Sequence, residues 1–258
     1  MISSVQTTPR YALVSLLLAS LLAHGAAARA DMSVSPMRLA IERGERTAAV
    51  TVTNPSGMAV RFQVRGFAWG ELPGQPIKLT PADDLIAFPT IGTLEAHESR
   101  VIRVGVTGTA SDAERSYRLV VTELPPPQTA TARAPAAVTF RTAFNIPLFL
   151  EPQQPASHLV ATGAAVRGST LSFAIDNEGN AHERLQNVEV TGLDATGASL
   201  FTTSVDGWYV LAHSRWEGSG AIPATACGRV RSVRLVATSE TKASGATWTV
   251  PATTSDCT

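Results

Sequence analysis

The chain has 258 residues, which is enough for one large β domain or two domains of ordinary size. It carries 21 Lys and Arg against 21 Asp and Glu, so its net charge of zero argues against a nucleic-acid binder, which needs a basic face. With 44% hydrophobic and 16% charged residues it has the composition of a folded protein, and its 19 glycines and 16 prolines favour turns over long helices.

Residues 1–30 have the features of a secretory signal peptide. Arg10 precedes an apolar run from Tyr11 to Ala23, and Ala28-Arg29-Ala30 forms an A-x-A cleavage site. A membrane anchor is the alternative, but the run is shorter than the ~20 residues that span a bilayer. We therefore predict export with cleavage after Ala30, no membrane insertion of the mature protein, and a mature net charge of 19 − 21 = −2.

Alternating apolar and polar residues predict short strands along the whole mature chain. In the first half the alternating stretches end at turn clusters such as 54–57, and Pro125-Pro126-Pro127 stops the last of them. The predicted strands of this half lie within residues 47–53, 60–69, 100–106 and 117–122. Gln128 to Ala137 is rich in Ala, Thr and Pro, which is typical of a flexible loop.

A long extended run from Val138 to Leu150 follows this loop, and Glu151–Pro155 after it is interpreted as a hinge between domains. The predicted strands of the second half lie within residues 171–175, 188–190, 208–211, 233–237 and 248–250. No window of helical length keeps an apolar helical periodicity. The sequence therefore predicts an all-β protein of two β-sandwich domains, residues 31–152 and 153–258.

Chemistry-bearing motifs are missing from the sequence. There is no G-x-S-x-G, H-E-x-x-H or C-x-x-C motif, the four histidines of the mature chain are not at metal-ligand spacing, and Asp83-Asp84 is interpreted as a turn. We predict no catalytic residue, no metal site, no cofactor and no enzymatic activity. Cys227 and Cys257 are predicted to form a disulfide in the oxidising compartment of an exported protein, the alternative being two separate buried thiols.

The run that begins at Val138 is unusual in its large apolar side chains. Val138, Phe140, Phe144 and Ile146 share one face of an extended strand, with Thr142 between them. One interpretation is an ordinary core strand. The other is an edge strand that a partner covers, because an uncovered apolar edge promotes aggregation and chaperones donate strands of this kind to pilins.

Several stretches carry a resemblance to a known family. They are residues 34–39, 52–55, 79–89, 114–119 and 145–152, with a looser match at 209–216. In their order and spacing the chain resembles the periplasmic chaperones of the chaperone–usher pilus pathway, most closely their archaic or spore-coat-type branch.

The resemblance implies a boomerang of two immunoglobulin-like domains that binds pilin subunits and delivers them to an outer-membrane usher. The donor strand would present Val138, Phe140, Thr142, Phe144 and Ile146 to the groove of the pilin. Self-association of the free chaperone is left open. The rival interpretations are an immunoglobulin-like secreted or surface adhesion module and a secreted β-sandwich hydrolase or carbohydrate binder.

In the family a basic pair holds the terminal carboxylate of the subunit. Arg38 aligns with the first of these residues, whereas Pro147 stands where better-studied branches have a Lys. Arg118 is the predicted replacement, with Arg103 in reserve, and a solvated strand arginine is the alternative. The turns after Leu94 and Leu211 also lack the usual Pro-Gly pair.

Overall fold

The computed structural model describes residues 32–72, 75–107, 111–125, 141–240 and 246–257. Within these ranges the chain forms eighteen β-strands and one short 3-10 helix. The fold is therefore all-β, as predicted. The predicted signal peptide and two of the predicted donor-strand residues, Val138 and Phe140, lie outside the described residues.

Ten strands build the first domain. They are β1 (Ser33–Ser35), β2 (Leu39–Ile41), β3 (Thr47–Thr53), β4 (Val60–Leu72), β5 (Gln75–Pro81), β6 (Leu85–Phe88), β7 (Ile91–Leu94), β8 (Ser99–Val106), β9 (Arg115–Leu124) and β10 (Ala143–Leu150). One sheet has the order β1-β3-β8-β6, and the other has the order β2-β10-β9-β4-β5 with β7 also paired to β4. The chain changes sheets between β1 and β2, so that Arg38 immediately precedes a strand of the second sheet.

The alternating pattern explains why the two sheets pack face to face. Inward side chains such as Val50 and Ile102 from one sheet meet Phe62, Leu119 and Leu148 from the other, and all five are fully buried. Because successive residues of a strand point to opposite faces, the residues between them on β9 and β10 lie on the outer face of their sheet. That outer face borders the second domain.

The second domain contains the remaining strands and the helix. They are β11 (Leu159–Arg167), β12 (Thr170–Asn177), β13 (Glu183–Leu193), β14 (Ser199–Asp206), β15 (Tyr209–Val210), β16 (Arg215–Ala221), the 3-10 helix Ala224–Arg229, β17 (Ser232–Ser239) and β18 (Ala246–Ser255). The sheet order is β14-β13-β17-β18-β11-β12-β16, with β15 paired to β13. The terminal strands β14 and β16 lie beside each other, so the curled sheet encloses its own apolar core.

A disulfide closes the second domain at its C-terminal end. Cys227 lies in the 3-10 helix and Cys257 follows β18, with their Cα atoms 5.4 Å apart. The predicted pairing is therefore confirmed, and it links the last strand to the helix.

Each domain contains the same buried asparagine at the end of a strand. Asn54 donates from its side-chain amide to the carbonyls of Leu94 and Glu95, at 3.2 and 2.8 Å. Asn177 donates in the same way to the carbonyls of Ala181 and Val210, at 2.8 and 3.0 Å. Because Leu94 and Val210 are each followed by a tight turn, each asparagine fixes the turn that follows the distant strand.

Candidate functional site

The second domain packs against the outer face of the first domain, and we call the boundary between them the cleft. Arg118 on β9 is directly opposite Pro147 on β10 and Phe67 on β4. Tyr117 and Leu119, its neighbours along the strand, belong to the first core, so the side chain of Arg118 points into the cleft.

Aromatic side chains from both domains fill the floor of this cleft. Trp69 and Phe149 come from the first domain, and Tyr209 and Leu211 come from the second. The ring centroids of Trp69 and Tyr209 are 5.2 Å apart in an edge-to-face arrangement, and those of Phe149 and Tyr209 are 5.7 Å apart. These edge-to-face and tilted contacts are favourable for aromatic pairs, and they hold the two domains together through a small apolar cluster.

Arg118 is buried in this cluster with part of its guanidinium unpaired. Only 4% of the residue is exposed, and Cζ lies 3.6 Å from the centroid of the Trp69 ring. Its Nε and Nη2 atoms have no hydrogen-bond partner. Burial lowers the pKa of Arg118 to about 10, so the group remains cationic at neutral pH. A buried cation with two free donors on one edge is suited to a carboxylate, which binds guanidinium through two parallel hydrogen bonds.

Glu71 links the two domains beside Arg118. One carboxylate oxygen accepts the backbone N–H of Leu211 at 3.0 Å and the hydroxyl of Ser214, while the other oxygen has no partner. Burial raises the pKa of Glu71 to about 7. The link between β4 and the turn after β15 therefore depends on a carboxylate that is largely removed from water.

Glu114 and His182 form a second link between the domains. Nδ1 of His182 lies 2.7 Å from a carboxylate oxygen of Glu114, and the imidazole stacks on the ring of Phe149 with centroids 3.6 Å apart. The backbone N–H of Glu114 also donates to the carbonyl of Asn180 at 2.8 Å. Glu114 therefore binds the segment 180–182 of the second domain through both its backbone and its side chain.

Arg38 lies at the exposed rim of the cleft and pairs with the second domain. Its Nη1 is 2.7 Å from one oxygen of Glu240, whose other oxygen is 2.9 Å from Nε of Arg184. Cζ of Arg184 is 4.8 Å from the centroid of the Tyr209 ring. Arg38, Arg184 and Glu240 thus form one ionic cluster, which we call the rim cluster.

The structure places the predicted anchor residues at different depths. Arg38 is at the rim and Arg118 is buried among the rings, and both face the cleft. Arg103, the reserve candidate, is exposed on β8 in the other sheet, opposite Ala49 and Phe88. It therefore does not contribute to the cleft.

The described part of the predicted donor strand has one unpaired edge. Phe144 is half-buried against the first core, and Ile146 is fully buried within it. Thr142 directly precedes β10 and accepts the backbone N–H of Glu123 at 2.9 Å. On the side away from β9, β2 pairs only with Leu148–Leu150, and no described strand pairs with residues 143–147.

The ladder identifies the main-chain groups that face this open edge. Because Glu123 donates to Thr142, the alternation of an antiparallel pair directs the N–H groups of Ala143 and Asn145 away from β9. The backbone N–H of Glu151 donates to the carbonyl of Ile41 on that same side at 3.1 Å, as expected for a residue an even number of positions after Ala143 and Asn145. Pro147 occupies an equivalent position, so its missing N–H removes no hydrogen bond to β9.

The described ranges contain neither a metal-binding cluster nor a membrane-spanning helix. No group of three or more His, Cys, Asp and Glu is arranged to hold a metal ion there. Asp84, one of the two adjacent acids, accepts from the hydroxyl of Tyr117 at 2.5 Å and from Arg115 at 2.9 Å. No helix in that part of the chain is long and apolar enough to cross a membrane.

Sequence reasoning missed several residues of the cleft. Glu71, Arg184 and Glu240 occupy no recognisable motif, and each contacts a residue more than fifty positions away. Tyr209 begins the stretch 209–216 that resembles the family loosely. That resemblance was the one feature of the sequence that indicated residues of the second domain in the cleft.

Comparison with known families assigns the first domain. Residues 31–156 match the model of the pili and flagellar-assembly chaperone family, PapD N-terminal domain. The first domain is therefore similar to a PapD-type chaperone domain. This assignment agrees with the two sheets of the domain and with the open edge of β10. Comparison with curated protein sequences gives no significant match.

Solved structures share the fold of the whole two-domain unit. A chain of the CsuC–CsuE chaperone–tip adhesin complex from archaic Csu pili of Acinetobacter baumannii has 19% identity and a TM-score of 0.60, with 86% of this chain and 99% of that chain covered. The SafA pilin–SafB chaperone complex of Salmonella enterica gives 15% identity and a TM-score of 0.54, covering 88% and 98%. The CupB2 chaperone of Pseudomonas aeruginosa has 17% identity and a TM-score of 0.51, with 85% of this chain and 100% of that chain covered. In these structures, as in this chain, a first β-sandwich is followed by a second one.

Proposed function

We propose that this protein is a periplasmic pilus-assembly chaperone. It binds pilin subunits by adding its own strand to their incomplete sandwich and passes them to an outer-membrane usher. The match of the first domain to the PapD family supports the class of function. The observation that carries the binding mode is the unpaired edge of β10 beside a cleft that contains a buried, incompletely paired arginine.

Strand addition supplies main-chain hydrogen bonds and apolar contacts together. The N–H groups of Ala143 and Asn145 face the open edge, and the half-buried ring of Phe144 extends the predicted apolar row toward Val138 and Phe140. Ile146 is already enclosed in the first core, so the row available to a subunit ends near Phe144. Each large apolar side chain that becomes fully buried contributes about 1.5–3 kcal/mol.

The terminal carboxylate of the subunit is proposed to bind at Arg118, with Arg38 at the rim. Arg118 is the cross-strand neighbour of Pro147, the position where the resemblance leads one to expect a lysine. A cation on the adjacent strand and the same face therefore compensates for the proline. Because only 4% of Arg118 is exposed, the carboxylate has to enter between Trp69 and the aromatic rings of the second domain.

Two finer assignments belong to this proposal. The archaic branch is supported by the fold shared with a Csu complex and by Pro147 in place of lysine. The periplasmic location is supported by the predicted signal peptide and by the disulfide.

Co-expression with the pilin encoded beside this chain tests the function. The wild-type chaperone is expected to retain the pilin through purification from the periplasm. Arg118→Ala and Arg38→Ala should each weaken retention, by about 2–5 kcal/mol for the buried Arg118, since the loss of one partner leaves the other charge unpaired. Arg167→Ala, at an exposed arginine of the second domain, is the matched control.

The outcomes separate the function from its anchor. A wild-type protein that never retains a pilin would exclude the chaperone function and favour an adhesion module. Full retention by Arg118→Ala, with the control unchanged, would leave the function standing and remove Arg118 from the anchor.

A further inference from the structure

The rim cluster joins two arginines from different domains through one carboxylate. Arg38 enters from the segment before β2, and Arg184 lies on β13 of the second domain. The two oxygens of Glu240 are 2.7 Å from Nη1 of Arg38 and 2.9 Å from Nε of Arg184. The carboxylate therefore bridges two cations, as the terminal carboxylate of a bound chain would do.

Three arginines from the two domains lie around the cleft. Arg38, Arg184 and Arg118 face it, and Arg184 is close enough to lower the pKa of Arg118. Glu240 pairs with two of these arginines, Glu114 pairs with His182, and Glu71 lies beside Arg118 with its pKa raised by burial to about 7. Without Glu240, Arg38 and Arg184 would repel each other, so a carboxylate is favoured between them.

We propose that Glu240 is a built-in substitute for the terminal carboxylate of the subunit, and that Arg184 is a third residue of the anchor, supplied by the second domain. This inference rests on the proposed chaperone function. In the free protein Glu240 holds Arg38 and Arg184 in position. When a subunit enters, its own carboxylate displaces Glu240 and takes over the two arginines.

Because the rim cluster is exposed, the displacement of Glu240 costs little free energy. The side chains of Arg38, Arg184 and Glu240 are 50%, 37% and 32% exposed. Exposed ion pairs contribute little to stability, so releasing Glu240 into water sacrifices little. A subunit that covers the cleft removes the same arginines from water, and their pairing with its carboxylate then becomes stronger.

Competition for a limiting amount of pilin tests the inference. Wild-type and variant chaperones with different affinity tags are co-expressed with the pilin encoded beside this chain, and the ratio of the two chaperones in purified complexes is measured. Glu240→Gln is expected to be enriched about two- to fivefold, the range that corresponds to an exposed ion pair. Arg184→Ala should be depleted relative to wild type, and the ratio for Arg184→Lys should lie between those of wild type and Arg184→Ala.

A charge-matched control and a modified pilin make the test specific. Glu189→Gln removes an exposed acid from the same strand as Arg184 and should compete equally with wild type. A pilin extended by four glycines carries its carboxylate elsewhere, so the advantage of Glu240→Gln should disappear. Unchanged thermal melting of each free variant shows that folding is not the cause.

The competition experiment has two further outcomes, one that overturns the role of Glu240 and one that overturns the chaperone function. Equal competition by Glu240→Gln, or an advantage that persists with the extended pilin, would overturn the inference while the chaperone function stands. Failure of the wild type to bind any pilin would instead overturn the function, and this inference with it.

Discussion

At two equivalent turns, one in each domain, a histidine takes a backbone conformation that glycine usually provides. His97 has a φ of 62° and His213 a φ of 54°. The backbone N–H of Glu98 donates to Glu95, and that of Ser214 donates to Leu211, so each histidine is the third residue of a tight turn. These are the turns that lack the expected Pro-Gly pair, and the structure keeps their geometry at the cost of a left-handed histidine.

Glycine at these positions is expected to stabilise the protein. His97→Gly and His213→Gly should each increase the free energy of unfolding by about 0.5–1 kcal/mol, because glycine adopts a positive φ without steric strain. Chemical denaturation measures the effect. His158→Gly, at an exposed histidine without positive φ, is the control and should not stabilise. A loss of stability in both turn variants would contradict this explanation of the turns.

The raised pKa of Glu71 predicts how stability depends on pH. Its folded-state pKa of about 7 exceeds the ordinary value of 4.5, so the folded protein binds a proton more readily than the unfolded chain. The contribution of this group to stability is therefore full at pH values below 4.5 and is lost as the pH rises through 7, with a slope of at most about 1.4 kcal/mol per pH unit.

Glu71→Gln should flatten that dependence between pH 5 and 7.5. Glutamine retains an oxygen that accepts from Leu211 and Ser214 and does not titrate, although Arg118 and His182 remain nearby. Denaturation at several pH values compares the variant with wild type and with Glu189→Gln. Parallel curves for Glu71→Gln and wild type would show that Glu71 does not titrate in this range.

At the scale of elements, the alternating pattern predicted the strand β10 and the face that its side chains share. It did not reveal that Ile146 is enclosed while Phe144 is half-buried. The pattern also did not predict β2, a three-residue strand that pairs only with Leu148–Leu150 of β10. A strand so short and so distant in sequence leaves no periodic signal near residue 146.

The position of Pro147 has a similar explanation. A proline within a strand argues against a central position, yet β10 lies between β2 and β9. The residue is tolerated because its nitrogen faces the side where β2 has not yet begun. Only the register of both neighbouring strands makes this visible, whereas the sequence alone showed a missing lysine.

At the scale of the whole molecule, the two all-β domains and the disulfide could be predicted from the sequence. The contacts between the domains could not. Glu114 and His182 are 68 positions apart, and Arg38 and Glu240 are 202 apart. Such pairs depend on how two folded units meet, and charged residues that form them look like ordinary surface residues in the sequence.

These interdomain contacts bring the open strand edge and the basic cleft together on one surface. A partner that adds a strand along β10 toward Pro147 would place its end beside Arg118. Main-chain hydrogen bonds would then set the register of the partner, and the arginines would bind its terminus. A captured pilin is therefore expected to pair with the free edge of β10.

Residue-resolved hydrogen–deuterium exchange of the free chaperone and of its complex with pilin tests for this strand pairing. The amides of Ala143 and Asn145 face the open edge, and their exchange should slow by at least about tenfold when a pilin strand accepts from them. The amides of β6, an edge strand of the other sheet, should be unchanged. A complex that holds its pilin while Ala143 and Asn145 exchange as fast as in the free chaperone would contradict the account.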